Sequence, residues 1–220
     1  MSSTLMSAQV QGVLESLYKD AKENHEASRK EAMALPPTAT SAEFYMAMRT
    51  AYMCINVEFG NLLYAFVRSM KAQNIVEFGT SFGVSTIYLA AALKDNGGGK
   101  LITSEFVDSK VETAKINLQK AGLSEYVEFR SGDALKTLAQ EIPSLDMVFL
   151  DGPKDMYLDV LKILEKDLRV GGIIASDNTD HKGLENHLAY IRDIKNGYVS
   201  APLVTERNGR HSGHEITIKV

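Results

Sequence analysis

The stretch Asn74-Ile75-Val76-Glu77-Phe78-Gly79-Thr80-Ser81-Phe82-Gly83-Val84-Ser85-Thr86 constrains this chain more than any other. A short apolar run closes on an acid, and two glycines four apart follow. An apolar helical pattern (Ile87, Tyr88, Leu89, Ala90, Ala91, Leu93) then takes over. This change of period predicts a β-strand, a tight turn and the first turn of a helix. Glycine at 79 and 83 permits backbone angles and close approaches that a Cβ would forbid. Ser81 and Ser85 add hydroxyls, and the unpaired N–H groups opening the helix suit a carboxylate. Taken alone, such a turn is equally an ordinary βα connection.

The same alternation runs through the rest of the chain. Apolar runs at 101–106, 126–130, 145–150 and 173–176 read as strands, and helical patterns separate them at 111–121, 135–140 and 157–167. A further helix is expected over 184–195. Two strands, 201–207 and 215–220, joined by Asn208-Gly209-Arg210-His211-Ser212-Gly213, read as a hairpin at the sheet edge. Before the glycine turn lie a helical pattern over about 5–34, a break at Leu35-Pro36-Pro37, and a helix from Ser41 whose Phe44, Tyr45, Met46, Met48, Tyr52 and Met53 are expected mostly in the core, with a few lining a substrate pocket. A helix over 56–70 follows. Strands alternating with helices predict an α/β, doubly wound, mostly parallel sheet with an antiparallel C-terminal hairpin strand. A chain of 220 residues without internal repeat reads as a single domain, 1–220, with 1–53 as a helical cap or dimerisation segment.

In such a sheet, ligands sit at the carboxyl ends of the strands. The acids there are Glu77, Glu105, Asp133, Asp151 and Asp177. Glu105 is placed to accept both hydroxyls of a ribose, and Ser131-Gly132-Asp133 suits an adenine edge. Asp151, Asp177 and Asn178 offer three hard oxygen donors from adjacent strand ends, a set that fits Mg²⁺. Alone, Asp177-Asn178 is equally a helix cap or an Asx turn. The turn reads E-x-G-x-x-x-G where a dinucleotide turn would read G-x-G-x-x-G, so nicotinamide oxidoreductase chemistry is disfavoured.

The chain resembles the cation-dependent O-methyltransferases of the catechol O-methyltransferase kind over roughly 50–220. Glu77-Phe-Gly-Thr-Ser-Phe-Gly-Val-Ser85 is similar to that family's glycine turn. Leu145-Asp-Met-Val-Phe-Leu-Asp-Gly-Pro-Lys-Asp-Met-Tyr157 is similar to its fourth-strand signature, and Ser176-Asp177-Asn178 to its metal pair. The resemblance implies a Rossmann-like fold and methyl transfer from S-adenosylmethionine to a hydroxyl of a small, catechol-like phenol. It implies Mg²⁺ or another divalent cation at Asp151, Asp177 and Asn178, with Lys154 as the general base. The implied cofactor contacts are Val57, Glu77, Gly79, Thr80, Ser81, Ser85, Glu105, Phe106, Asp133, Ala134 and Asp151. Gly152-Pro153, the lack of any Trp, and Thr179-Asp180-His181-Lys182 depart from the family pattern and bear on the acceptor. Glu206 could contact a second catechol hydroxyl. The alternatives are a metal-independent methyltransferase and a protein that binds S-adenosylmethionine without catalysis.

Composition narrows the partners. The net charge is −4 and no Lys/Arg cluster stands out, so no nucleic-acid footprint is expected. No apolar run approaches the ~18 residues of a membrane span, and Met1–Met6 lacks a signal-peptide pattern. A cytoplasmic protein is expected. Cys54, the single cysteine, excludes an internal disulfide. His181, His187, His211 and His214 lack zinc-ligand spacing and are expected at the surface or a pocket rim. The apolar stripe Val10, Val13, Leu14, Leu17, Tyr18 must cover the core or a second copy, and a homodimer is expected.

Overall fold

The computed structural model describes residues 3–207 and 210–220. Its helices are α1 (Ala8–Glu23), α2 (His25–Met33), α3 (Ser41–Ala47), α4 (Val57–Ser69), α5 (Val84–Asp95), α6 (Asp108–Lys120), α7 (Ala134–Thr137), α8 (Tyr157–Leu164) and α9 (Glu185–Arg192). Its strands are β1 (Asn74–Phe78), β2 (Lys100–Glu105), β3 (Val127–Ser131), β4 (Leu145–Leu150), β5 (Leu168–Asp177), β6 (Tyr198–Arg207) and β7 (Arg210–Lys219). They form one sheet of order β3-β2-β1-β4-β5-β7-β6. β1 to β5 pair in parallel, and β7 runs antiparallel to both β5 and β6. The order reverses between β1 and β4, and the crevice for a ligand opens at that point.

Side-chain alternation divides the core between the two faces of the sheet. Ile75, Met147 and Phe149 pack with Phe59, Leu63 and Ile87 on the side of α4 and α5. Val76, Val148 and Leu150 pack with Val160 and Leu161 of α8 on the other. Each such side chain contributes roughly 1.5–3 kcal/mol on full burial. α5 is buried from Val84 to Leu93, because the sheet covers one side of it and α4 and α1 the rest. Asn56 caps α4 by accepting the Phe59 N–H at 2.7 Å, which fixes the approach of the chain to the sheet.

Several expectations are corrected. The helix over 5–34 breaks at Asn24, which leaves helical angles (φ −102°, ψ 9°) and turns both its backbone N–H and its side-chain amide onto the Asp20 carbonyl. Of the two covers expected for the α1 stripe, core or second copy, the chain's own core is the one that buries Val10, Leu14 and Leu17. Seven-residue α3 buries nothing. Phe44 and Met46 are exposed, whereas beyond its end Met48 is buried and half-buried Tyr52 packs against the core, as expected. The terminal strands are longer than predicted, and Arg210 to Gly213 belong to β7; Asn208 and Gly209 lie outside the described residues. β5 begins at Leu168 and shifts register against β4 between Leu145 and Met147.

Candidate active site

A cavity of about 450 Å³ lies over the carboxyl ends of β1, β2, β3 and β4. Gly79, Ser81, Glu105, Phe106, Asp133, Ala134 and Asp151 line it, together with Lys110, Gly152, Pro153 and Met156. Thr40, Ser41, Tyr45 and Met53 close it from the N-terminal side. Two backbone bonds pin the floor: the Gly79 N–H donates to Ser104 O at 3.0 Å, and the Asp151 N–H to Phe78 O at 2.8 Å. Gly79 has φ of 105°, and a Cβ there would collide with the Asp151 carbonyl. Only glycine lets the two loops meet.

Glu105 is held by backbone donors alone. Ser81 N–H reaches its Oε2 at 2.9 Å and Val107 N–H its Oε1 at 2.9 Å. Each oxygen keeps a lone pair for a hydroxyl in the cavity. Asp133 caps α7 by accepting the Leu135 N–H, and Phe106, 46% exposed, offers an apolar plate beside it.

Glu77 is not on that surface. It shares a face of β1 with Ile75 and lies fully buried under α5. Ser85 Oγ donates to its Oε1 at 2.6 Å, and the Thr86 and Thr103 hydroxyls donate to its Oε2 at 2.7 and 2.6 Å. Burial pushes its carboxyl upward, against the pull of those three bonds. Ser85 is spent on this clamp, and Thr80 bonds Thr103 at 2.5 Å. Thr80 and Ser85 line only a cleft of about 10 Å³ beside the main cavity, and Val57 lines neither.

Asp151 and Asp177 do meet. Burial, then the Asp177 carboxylate, pushes the Asp151 carboxyl well above the usual range, with Lys154 opposing. Lys154 Nζ lies 3.3 Å from Asp151 Oδ1 and donates to the Tyr157 hydroxyl at 2.6 Å. That hydroxyl in turn donates to the Asp177 carbonyl at 3.1 Å. Asp177 Oδ1 is 2.6 Å from His214 Nδ1 but misaligned, so neither atom has a hydrogen bond. Asn178 follows with φ of 54°. Two buried carboxylates in contact, one oxygen orphaned, suit a hard divalent cation. No group of three His, Cys, Asp or Glu that could hold a metal gathers among the described residues, so a third protein oxygen would be the amide of Asn178. A second groove of about 450 Å³ is lined by Lys154 but by neither Asp151 nor Asp177. Leu35, Pro36, Pro37, Phe44 and Tyr45 give it apolar walls, and Lys154 and Lys182 give it charge.

The histidines divide. His181 and His211 are exposed as expected, whereas His187 and His214 are each 1% exposed. His214 stacks on Phe59 at 3.7 Å, and its Nε2 meets Thr205 Oγ1 at 2.7 Å. His187 bonds Ser176 at 3.0 Å, and burial holds its pKa down at about 4. Glu206 is exposed on edge strand β6 and lines neither cavity. Sequence reasoning missed Lys110, which is 2% exposed and faces the main cavity. The signal was available, since Lys110, Ala114 and Leu118 share the buried face of α6.

Residues 26–188 match the family described as O-methyltransferase. The chain belongs to the O-methyltransferase family. Within that family it is 32% identical over 157 residues to caffeoyl-CoA O-methyltransferase 2 of Petunia hybrida, covering 64% of each chain. It is 34% identical over 128 residues to a catechol O-methyltransferase of Niastella koreensis, covering 56% of this chain and 57% of that one. The matches thus span less than two thirds of these relatives' length. The O-methyltransferase TomG from Streptomyces achromogenes, solved with SAM, aligns at a TM-score of 0.70 and 25% identity, over 93% of this chain and 89% of that one. Among the described residues, no helix is long and apolar enough to cross a membrane.

Proposed function

We propose that this chain, read as one domain over 1–220, transfers the methyl group of S-adenosylmethionine to one oxygen of a vicinal diol on a small aromatic ring. The observation that carries this reading is the position of Asp151. It lines the main cavity on one side and meets Asp177 and Lys154 on the other, so one residue joins a nucleoside-sized space to a site for acidic hydroxyls. Glu105 would take the ribose hydroxyls, Phe106 and Ala134 would flank the base, and the second groove, with Phe44, Tyr45 and Pro36 in its wall, would take the acceptor ring.

Asp151, Asp177 and Asn178 would hold a divalent cation. When bound, such a cation lowers the pKa of a chelated hydroxyl. Lys154 reaches the same place from the side, and its amine receives or neutralises the proton of the attacking oxygen. Tyr157 fixes the lysine there, acting as a positioning residue. Because the sulfonium methyl is already activated, the remaining task is to bring the attacking oxygen into direct in-line contact with it beside Asp151. The apolar stripe of α1 is covered internally, so oligomeric state carries no part of this reading.

The test uses a catechol such as caffeate with S-adenosylmethionine. EDTA should abolish turnover and Mg²⁺ restore it, while calorimetry still shows S-adenosylhomocysteine bound. Asp177→Ala should behave like EDTA treatment, and Lys154→Ala should lose rate by ~10²–10⁴. Full activity in excess EDTA would move the chain to metal-independent transfer. Glu105→Ala should weaken S-adenosylhomocysteine by about 2–4 kcal/mol, the loss of two hydrogen bonds to a charged group.

A further inference from the structure

Lys110 is the one cation among the described residues that line the main cavity, and the transfer proposed above does not use it. The other acid or base side chains lining it, Tyr45 apart, are carboxylic acids: Glu105, Asp133, Asp151 and Asp155. Lys110 Nζ lies 3.5 Å from Ser81 Oγ, 3.8 Å from Met53 Sδ and 5.3 Å from the centre of the Phe82 ring. Glu105 and Asp151 act on it from a distance, and no carboxylate forms an ion pair with it among the described residues. Burying an ammonium without a counter-ion is costly, and burial pushes the Lys110 pKa down accordingly. Arg29 of α2 deepens the imbalance. Its field also bears on Lys110, and its Nε is buried without a hydrogen-bond partner. Lys110 thus stands as a buried ammonium in the wall of an otherwise acidic cavity, with Arg29 acting on it from outside the lining.

We propose that Lys110, assisted by Arg29, forms a carboxylate subsite beside Ser81 and Met53. This rests on the methyl-transfer reading and goes beyond it by assigning the end of the ligand that lies away from the ribose. The turn residue Ser81 links the two ends of the arrangement. Its N–H is bonded to Glu105, and its hydroxyl faces Lys110. A molecule whose diol sits at Glu105 thus passes Ser81 and brings its other end to the ammonium. The aminoacyl carboxylate of S-adenosylmethionine supplies that anion. A carboxylate carried by the acceptor is the other source of the same chemistry.

The experiment is calorimetry on wild type, Lys110→Met, Lys110→Arg and Arg29→Met. The probes are S-adenosylhomocysteine and 5′-methylthioadenosine, which keeps the nucleoside and sulfur but lacks the aminoacyl carboxylate. Lys110→Met should weaken S-adenosylhomocysteine by about ten- to hundredfold and leave 5′-methylthioadenosine nearly unchanged. Lys110→Arg should recover most of the loss, and Arg29→Met should show the same discrimination at smaller size. Should S-adenosylhomocysteine binding hold while the KM for 3,4-dihydroxybenzoate rises about tenfold and that for catechol does not, the subsite stands with the acceptor as its source. Equal weakening of both nucleosides, or no change in any arm, would overturn it. Failure of wild type to bind either nucleoside would instead remove the methyl-transfer reading and the subsite with it, a result visible before any variant is made.

Discussion

Two buried acidic sites stand side by side on β1 and β4, and they are built in opposite ways. Glu77 has three hydroxyl donors on its two oxygens and no charged partner among its hydrogen bonds. Asp151, just past the end of β4, faces Asp177, with Lys154 as its one countercharge and an orphaned oxygen on its neighbour. A buried polar group costs little when its hydrogen bonds are complete and much when they are not. The first acid is therefore spent on architecture, locking the glycine turn to α5 and β2. The second keeps its deficit, and a deficit of that kind is what a cation or a substrate can fill.

If Glu77 is a structural clamp, Glu77→Ala should cost about 3–5 kcal/mol, because three buried donors lose their acceptor together. Urea unfolding would measure it, and a loss below ~1 kcal/mol would erase the contrast. His187 belongs with the unsatisfied groups, since its Nδ1 is buried without a partner. Its pKa is depressed in the fold to about 4 from 6.5. Its contribution to stability is thus complete above pH ~6.5 and is lost as pH falls from there towards 4, up to a limit on the order of 3 kcal/mol. Stability measured across that range should slope for wild type and flatten for His187→Gln. The smallest effect has the most telling sign. Asp151→Asn removes one of two facing carboxyl groups, so in EDTA it should stabilise the protein by about 1–2 kcal/mol, while with Mg²⁺ present it should abolish turnover. Destabilisation by Asp151→Asn in EDTA would mean that the pair is not in deficit.

Much of the fold was legible because its signals are local. The strand, turn and helix around Gly79 follow from hydrophobic period and glycine, and the five strand-end acids follow from parallel topology. Glu77 shows where that rule stops. Its alternation with Ile75 put it on the α5 face, where Ser85, Thr86 and Thr103 supply hydroxyls, but an acid at a strand end reads the same whichever way it points. His214 was out of reach for another reason. Its burial against Phe59 and Asp177 depends on β7 inserting antiparallel beside β5, a long-range pairing that periodicity does not report. The chain near α3 misled in the opposite direction. Its aromatics and methionines have the composition of a core, yet Phe44 and Met46 are exposed, whereas Tyr45 and Met53 line the wall of a cavity, as expected of a few of them.

That wall has a thermodynamic consequence. Thr40, Ser41, Tyr45 and Asp155 border both the main cavity and the second groove, and the Ser41 hydroxyl donates to Asp155 at 2.9 Å. A ligand that orders this partition from one side has already met part of the ordering cost for a ligand on the other. Linkage makes the gain reciprocal: whatever factor one ligand adds to the affinity of its neighbour, the neighbour returns in full.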